Sequence, residues 1–286
     1  MNVRMIVTDL DGTLFQPDKT VTPRALRALT AAHDAGIVVM AATGRSIMDV
    51  AHLLPGVLRD LAVCSNGAVV YSARLDRVLL SRPIEPVVIK AFVETLQALA
   101  MQISFATLVN IGYDMLPGPG YLDLMVEGNH GRSKQTMTEV GLAELASQPA
   151  VKLVARSSEL RLAEVFDLCQ QAAHVGVQPT MSGVPFVEIS AAAVSKATTL
   201  DLLATDRGIS RHEVVVLGDS LNDAEMIQWA GLGVAMANAD PAVQELADEV
   251  APANTDCLRW VTVFSQWTQT PRGWPGYRPP IRVTSA

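Results

Sequence analysis

The sequence predicts an α/β fold in which a doubly wound parallel sheet carries an inserted second domain of mixed α+β structure. Two stretches, residues 4–68 and the chain from Lys196 onward, alternate short apolar runs with helical segments, as parallel sheets do. The residues between them suggest helices and antiparallel strands instead. We therefore expect the following division: a discontinuous core domain over 1–84 and 190–266, an inserted domain over 85–189, and a loosely ordered tail over 267–286.

The first half of the core is expected to run strand, helix, strand, helix, strand. Residues 5–7 form a short apolar run that is typical of a buried strand. Thr22 and Pro23 suit the N-cap and first position of a helix, which Gly36 should end. The same reasoning gives the remaining elements: a strand over 37–42, a helix capped by Ser46 that ends near Leu53, and a strand over 61–64.

The middle of the chain departs from this alternation. Two short apolar runs at 69–71 and 78–80 indicate a hairpin, and Pro86 should open a helix that ends near Ala100. Alternating polar and apolar residues then indicate a half-exposed strand over 102–108. Two segments rich in Gly and Pro are predicted to be loops: 112–120 and 127–133.

The parallel pattern resumes with a helix from Lys196 to about Arg207, which Gly208 should end. Residues 213–217 form the most strongly strand-like segment of the chain. The domain should then be completed by three elements: a helix ending at Trp229, a strand over 233–236, and a helix that begins at Pro241.

Composition excludes several classes of protein. The 286 residues are 49% hydrophobic and carry a net charge of −7 without a basic stripe, which argues against a nucleic-acid surface. No apolar run approaches the roughly 18–20 residues that cross a bilayer, so no membrane partner is expected. The three cysteines are far apart, and no signal peptide is recognised. A cytoplasmic protein with reduced thiols is therefore expected.

Two carboxylates, Asp9 and Asp11, follow the first strand. Crowding acids at the end of a buried strand is unfavourable unless a cation lies between them, and Mg²⁺ prefers such oxygen ligands. Taken alone, the same residues also fit a solvated turn. A calcium-binding loop fits poorly, because Thr20 stands where that loop requires Glu.

Three predicted strands end in polar groups, at Asp9, Thr43 and Asp219. Ligands of open parallel sheets bind at the carboxyl ends of the strands, so these groups should surround one crevice if their strands are neighbours. The expected magnesium ligands are Asp9, Asp11 and Asp219, with Asp223 holding a metal-bound water. The expected phosphate contacts are Thr43 and the Gly44 amide, and Lys196 would add the positive charge that the acidic cluster lacks.

Five motifs in this order resemble those of the haloacid dehalogenase-like phosphatases, and more narrowly of their Cof-type branch. They are DLDGTL at 9–14, ATGR at 42–45, SNGA at 65–68, VSK at 194–196 and GDSLND at 218–223. The resemblance covers about residues 4–262. It implies a Rossmann-like core and a large cap domain inserted between the second and third catalytic motifs.

The resemblance also implies roles for the site residues. Asp9 would be the nucleophile that forms an aspartyl-phosphate, and Asp11 the general acid and base. Magnesium would be bound by the Asp9 carboxylate, the Asp11 backbone carbonyl and Asp219. The groups that hold the transferring phosphoryl group would be Thr43, Gly44, Lys196 and Asn222. Arg45 either caps a helix, pairs with a carboxylate or contacts phosphate.

The expected function is a Mg²⁺-dependent phosphatase acting on small phosphorylated metabolites, sugar phosphates foremost. Two alternatives remain at this point: a phosphomutase of the same fold, and a non-catalytic module that binds phosphorylated ligands. The intact Asp9 and Asp11 pair argues against the second. Asn66 is expected to hold a turn, and the insert is expected to select the leaving group and exclude water rather than perform chemistry.

Overall fold

The computed structural model describes residues 1–125 and 132–255. The predicted tail over 267–286 and residues 127–131 of the loop predicted over 127–133 lie outside the described residues. The strands are β1 (Met5–Thr8), β2 (Val38–Ala42), β3 (Ala62–Cys64), β4 (Val69–Ser72), β5 (Arg77–Ser81), β6 (Ser104–Val109), β7 (Asp114–Pro117), β8 (Ala150–Arg156), β9 (Val177–Thr180), β10 (Val187–Ala191), β11 (Val214–Gly218), β12 (Leu232–Met236) and β13 (Glu249–Ala251).

Most α-helices of the described residues lie where Pro and capping residues predict them. They are α1 (Pro23–Asp34), α2 (Ile47–Leu53), α3 (Pro86–Leu99), α4 (Tyr121–Leu124), α5 (Leu142–Leu145), α6 (Leu162–Ala172), α7 (Lys196–Asp206), α8 (Ala224–Trp229) and α9 (Pro241–Leu246). Thr22 caps α1 as expected, its hydroxyl accepting from the Ala25 amide at 3.1 Å. No helix in the described part of the chain combines the length and apolarity needed to span a membrane.

Eight strands form one sheet, here called the core sheet, in the order β13-β12-β11-β1-β2-β3-β4-β5. The strands from β13 to β3 run parallel, and the β4–β5 hairpin adds an antiparallel edge. The chain starts at the centre of the sheet, extends to one side, and returns through β11 to the other. The predicted doubly wound parallel sheet is confirmed.

A second sheet of five antiparallel strands, here called the cap sheet, has the order β7-β6-β8-β10-β9. One face packs on α3 and α6 in a separate apolar cluster that includes Phe92, Phe105 and Val165. Residues of the opposite face, such as Ala106 and Val154, join the apolar cluster of the core sheet. The cap sheet therefore lies with one face against the core, as the predicted α+β insert requires.

The boundaries of the insert stay a proposal. Ile84 already pairs with Ala150 of the cap sheet, close to the expected start at 85. At the other end, β10 continues to Ala191 and pairs with Val177 there, two residues beyond the expected end at 189. We propose that the second boundary follows Ala191.

One predicted loop is wrong, and the core sheet has one strand that the sequence did not predict. Residues 114–117, inside the loop predicted over 112–120, form β7 and pair with β6 from Val109↔Asp114 to Ala106↔Pro117. A left-handed turn at Asn110 and Ile111 makes this hairpin possible. Glycines flank the strand on both sides, so counting Gly and Pro detects the turns and hides the four residues between them. That unpredicted strand of the core sheet is β13, at its edge.

Gly67 joins the core sheet to the start of α7. Its φ is +106°, and a Cβ there would lie 2.2 Å from the carbonyl oxygen of Ser195, the N-cap of α7. Its own carbonyl accepts a hydrogen bond from the Thr199 hydroxyl at 2.8 Å. This close backbone approach sets the position of Lys196, the first residue of the helix.

We expect Gly67→Ala to lower the free energy of unfolding by about 3 kcal/mol or more, because backbone must move to admit the methyl group. The matched control is Gly36→Ala. Gly36 also has a positive φ, +86°, but has nothing within 4 Å of the added carbon. It should cost only about 1 kcal/mol, from backbone conformation. Urea unfolding of both variants measures the difference; equal losses would contradict the packing argument.

Candidate active site

The polar ends of three neighbouring strands meet at one edge of the core sheet. β1 lies between β11 and β2, with Thr8 opposite Leu217 on one side and Ala41 on the other. Asp9, Thr43 and Asp219, which follow these strands in the sequence, are therefore brought to the same edge. The predicted crevice depends on this strand order, which the structure contains.

Three carboxylates crowd around one buried ammonium group. Asp9, Asp219 and Asp223 each offer an oxygen, and these oxygens lie within 4.8 Å of one another. Lys196 donates to Asp9 at 2.7 Å and to Asp223 at 2.6 Å, and is only 1% exposed. Three negative charges against one positive charge leave two, the charge of one divalent cation. The donor set, all oxygen, suits a hard metal ion.

The electrostatics of this cluster also favour a bound cation. Burial raises the pKa of Asp9 well above its usual range, and Asp223 and Asp219 add to the effect while Lys196 opposes it. Burial likewise raises the pKa of Asp219 to about 6, against a hydrogen bond from Thr13 that lowers it. Ionisation of both acids is therefore unfavourable in the buried site, and a bound metal ion would offset its free-energy cost.

Asp219 reaches the cluster through a space that only glycine leaves open. Gly12 has φ +80°, and a Cβ on it would lie 2.2 Å from the Asp219 Oδ2 atom. Thr13 donates to the other Asp219 oxygen at 2.6 Å, and Ser220 donates to Oδ2 at 3.1 Å. The Asp-Gly-Thr segment after β1 therefore also positions the side chain of Asp219, through the space at Gly12 and the hydrogen bond from Thr13.

Asp223, expected to lie behind a metal-bound water, is fully buried within the carboxylate cluster. One of its oxygens accepts from Lys196, and the other accepts from the Asp219 and Ser220 amides at 3.0 and 3.1 Å. These contacts occupy its oxygens, so Asp223 holds Lys196 and the Asp219 loop in place.

The side chain of Asp11 is held apart from the cluster by two cations. Arg45 donates to it from Nε at 2.5 Å and from a terminal nitrogen at 2.7 Å, and Lys19 donates at 2.7 Å. Burial alone would raise the pKa of Asp11, but these hydrogen bonds outweigh it and lower the pKa. Of the possibilities for Arg45, the structure has it paired with a carboxylate. The carboxylate of Asp11 is thus occupied by cations, and the group of Asp11 that remains as an expected metal ligand is its backbone carbonyl.

The residues expected to hold a phosphoryl group lie on neighbouring loops. Thr43 is 1% exposed, and its hydroxyl oxygen accepts from the Arg45 amide at 3.1 Å, so its hydrogen is available to an acceptor. Gly44 follows it. Asn222 donates from Nδ2 to the Asn66 side-chain oxygen at 3.0 Å. Asn66 does form the predicted turn, with φ +54°, and it also reaches the site.

A cavity of about 460 Å³ opens beside these loops, between the core and the cap sheet. Lys196, Asn66 and Asn222 line it from the core. The cap side contributes mainly hydroxyl, amide and apolar groups, among them Phe166, Gln178, Thr180, Met181 and Ser190. Glu225 also borders it, and Lys196 is the one cation in its described lining. The cavity therefore adjoins the residues that are expected to hold a phosphoryl group.

Two buried residues at the site were not found by sequence reasoning. Lys152 and Glu188, on β8 and β10, form an ion pair, and Lys152 donates to the Gly44 carbonyl at 2.5 Å. The insert therefore places charged groups next to Gly44, an expected phosphate contact, while its having no part in the chemistry stays a prediction. The signal was a single charge inside an otherwise apolar strand, as in Ala-Val-Lys-Leu-Val and Phe-Val-Glu-Ile.

Comparison with known proteins gives a consistent result. The family model described as haloacid dehalogenase-like hydrolase matches residues 6–257. The chain is 30% identical over 274 residues to the pyridoxal phosphate phosphatase YbhA of Escherichia coli (strain K12), covering 89% of this chain and 95% of that protein. It is 31% identical over 253 residues to a phosphoglycolate phosphatase of Natronomonas pharaonis, covering 88% of this chain and 92% of that protein.

Among solved structures, the chain is similar to BT1666 from Bacteroides thetaiotaomicron, described among the phosphatases of the haloalkanoate (HAD) enzyme superfamily. The TM-score is 0.73 at 22% identity, with 92% of this chain and 95% of that chain covered. This similarity supports the fold.

We expect Asp219 to contribute to the free energy of unfolding of the metal-free protein at low pH, and we expect this contribution to be lost as the pH rises. Its pKa is raised on folding from 3.8 to about 6, so the contribution is present below pH 4 and disappears through pH 6. The unfolding free energy of Asp219→Asn minus that of wild type should rise by about 1–2 kcal/mol from pH 4 to pH 7.5. Denaturant unfolding in EDTA measures it; a difference that does not change with pH would contradict the shift.

Proposed function

This chain belongs to the haloacid dehalogenase-like hydrolases, and we propose that it is a Mg²⁺-dependent phosphatase that hydrolyses small phosphorylated metabolites through an aspartyl-phosphate. The family inferred from its five motifs is confirmed by the match over residues 6–257. The expected class, a phosphoric monoester hydrolase, is confirmed by its curated phosphatase relatives. The metal, the intermediate and the preference for sugar phosphates are our proposals.

The observation that carries the proposal is the buried Asp9–Lys196–Asp223 triad at the end of β1. In the proposed first step, an oxygen of Asp9 attacks phosphorus, the bond from phosphorus to the leaving oxygen breaks, and Asp11 gives that oxygen a proton. In the second, water attacks the same phosphorus and loses its proton to Asp11, and the bond to Asp9 breaks. Lys196 uses two of its three N–H bonds on Asp9 and Asp223, which leaves one for a phosphoryl oxygen.

Magnesium fits the carboxylate cluster by charge and by donor type. Asp9, Asp219 and the Asp11 backbone carbonyl would hold it, and Asp223 would keep Lys196 and the Asp219 loop in place. When bound, the ion supplies neutralisation of these acids and of the charge that develops on the phosphoryl oxygens. The raised pKa values of Asp9 and Asp219 are the observation that supports a cation here.

Asp11 is poised as a base by its ion pairs with Arg45 and Lys19. A lowered pKa favours the carboxylate, the form that accepts a proton from the attacking water. To act as the acid it must first gain a proton, which requires its contact with Arg45 to weaken. An arriving phosphoryl group, itself an anion, would compete for the Arg45 guanidinium and so raise the pKa of Asp11. Substrate binding would in this way prepare the acid.

The cavity favours a neutral, hydroxyl-rich leaving group, which supports sugar phosphates. Hydroxyl and amide groups at Gln178, Thr180 and Ser190 can bond to hydroxyls, while Glu225 would repel a second anion. The one lysine in the described lining, Lys196, is already paired with two carboxylates.

The proposal predicts that a panel of phosphate esters, assayed for released phosphate with MgCl₂, will include substrates. Hexose 6-phosphates should be hydrolysed with a kcat/KM at least about tenfold above that of phosphoglycolate, whose leaving group is anionic. EDTA should abolish release, and added MgCl₂ should restore it. Release that persists in EDTA would exclude the metal assignment, and a preference for phosphoglycolate would exclude the leaving-group class.

We expect Asp9→Asn to lower kcat by at least about three orders of magnitude, because the amide cannot form the aspartyl-phosphate. The fold should persist, because Lys196 keeps its ion pair with Asp223 and a crowded negative charge is removed. Thermal unfolding and the same phosphate assay provide the two measurements. The control is Asp34→Asn, the same chemical change at an exposed position of α1. A folded Asp9→Asn variant with more than a few per cent of wild-type kcat would refute the covalent step.

A further inference from the structure

A chain of buried hydrogen bonds leads from the cap sheet to Asn222. Glu188 and Lys152 lie on the core-facing side of the cap sheet and are 3% and 5% exposed. Lys152 binds the Oε1 atom of Glu188. The other oxygen, Oε2, accepts from the Ser182 hydroxyl at 2.5 Å and from Asn66 Nδ2 at 3.1 Å. Asn66 in turn accepts from Asn222 Nδ2 at 3.0 Å through its own oxygen.

The direction of every amide in this chain follows from the charge of Glu188. A carboxylate only accepts hydrogen bonds, so Asn66 must turn its nitrogen toward Glu188 and its oxygen toward Asn222. Asn222 must then turn its nitrogen toward Asn66. Burial alone would raise the pKa of Glu188, but the charge of Lys152 and three hydrogen bonds outweigh it and lower the pKa, so the carboxylate is ionised.

Nothing else in the described chain fixes the Asn222 amide. Its Oδ1 atom is buried and has no hydrogen-bond partner among the described residues. Among the described residues, the hydrogen bond to Asn66 is thus the one contact that distinguishes the amide nitrogen of Asn222 from its amide oxygen. An amide turned by half a rotation would fit the same space and present oxygen where it now presents nitrogen.

We propose that Glu188 is a positioning residue that fixes Asn222, through Asn66, as a hydrogen-bond donor to the phosphoryl group. Nδ2 carries two hydrogens, of which Asn66 takes one, and the second is then directed to a phosphoryl oxygen. This inference rests on the proposed function, in which Asn222 holds the transferring group. It gives the cap sheet a part in binding phosphate, because the direction of a core side chain is set by a cap residue.

Glu188→Gln tests the proposal, because it exchanges donors and acceptors along this series of hydrogen bonds without changing the shape of the side chain. Lys152 only donates, so it would keep the oxygen of the substituted side chain, and the new amide nitrogen would face Asn66. Asn66 would then have to turn its oxygen toward that nitrogen, and Asn222 would present its oxygen in place of nitrogen. The Kd for inorganic phosphate, measured by calorimetry with MgCl₂, should rise about tenfold, the loss of one hydrogen bond to a charged group.

A double-mutant cycle separates positioning from a general structural effect. Asn66→Gly removes the connecting amide at a position whose φ of +54° glycine tolerates. In that background, Glu188→Gln should change the phosphate Kd by less than about threefold. The Kd for Mg²⁺ should stay within about twofold of wild type in all variants, because no carboxylate of the metal cluster is touched.

The proposal is overturned if Glu188→Gln alone raises the phosphate Kd less than about threefold, or if it raises it by more than that in the Asn66→Gly background. Should the buried Lys152 charge prevent Glu188→Gln from folding, Lys152→Met/Glu188→Gln enters the same cycle. The lost contact of Lys152 with Gly44 then acts in both backgrounds, so the proposal is overturned if the phosphate Kd rises by the same factor, within about twofold, with and without the Asn66 side chain. Phosphate binding needs no turnover. A wild-type protein that binds phosphate but hydrolyses no ester would therefore refute the proposed function and leave this test of Glu188 intact.

Discussion

The ammonium group of Lys196, between Asp9 and Asp223, is the contact on which the rest of the site depends. Without it, three carboxylates would crowd into a buried space with no positive charge, which a protein interior does not tolerate. Its position is set by backbone packing outside the strand that leads to Asp9, where Gly67 lets a turn of the core sheet approach Ser195. A glycine in one motif thus places the lysine of another.

Much of this arrangement could be predicted because its determinants are local. Apolar runs of three to six residues, followed by Asp9, Thr43 and Asp219, identify strands and the edge at which they end. Pro23 and Gly36 mark the limits of a helix by backbone geometry alone. The order of the strands then brings the three polar ends together. What had to be assumed was only that β1 lies between β2 and β11, and the resemblance to a known family supported that assumption.

What could not be predicted depends on contacts between residues distant in the sequence. Glu188 reaches Asn66 across 122 positions, and Arg45 reaches Asp11 across 34. No local pattern says which carboxylate an arginine will pair with. The strand β7 was not predicted for a related reason: its hydrogen bonds are made with β6, and the composition of its own segment is typical of a loop. Local propensity describes what a segment prefers, and pairing decides what it becomes.

The two buried lysines show how charge balance separates chemistry from positioning. Around Lys196, three carboxylates leave two negative charges uncompensated, and the pKa of Asp9 is raised because it is buried among acids that lack a second cation. Around Lys152, one carboxylate meets one ammonium group, and both oxygens of Glu188 are occupied by donors. The first cluster has charge left to bind an ion. The second has none, and what it can transmit is direction, through amides whose two ends differ only in whether they donate or accept.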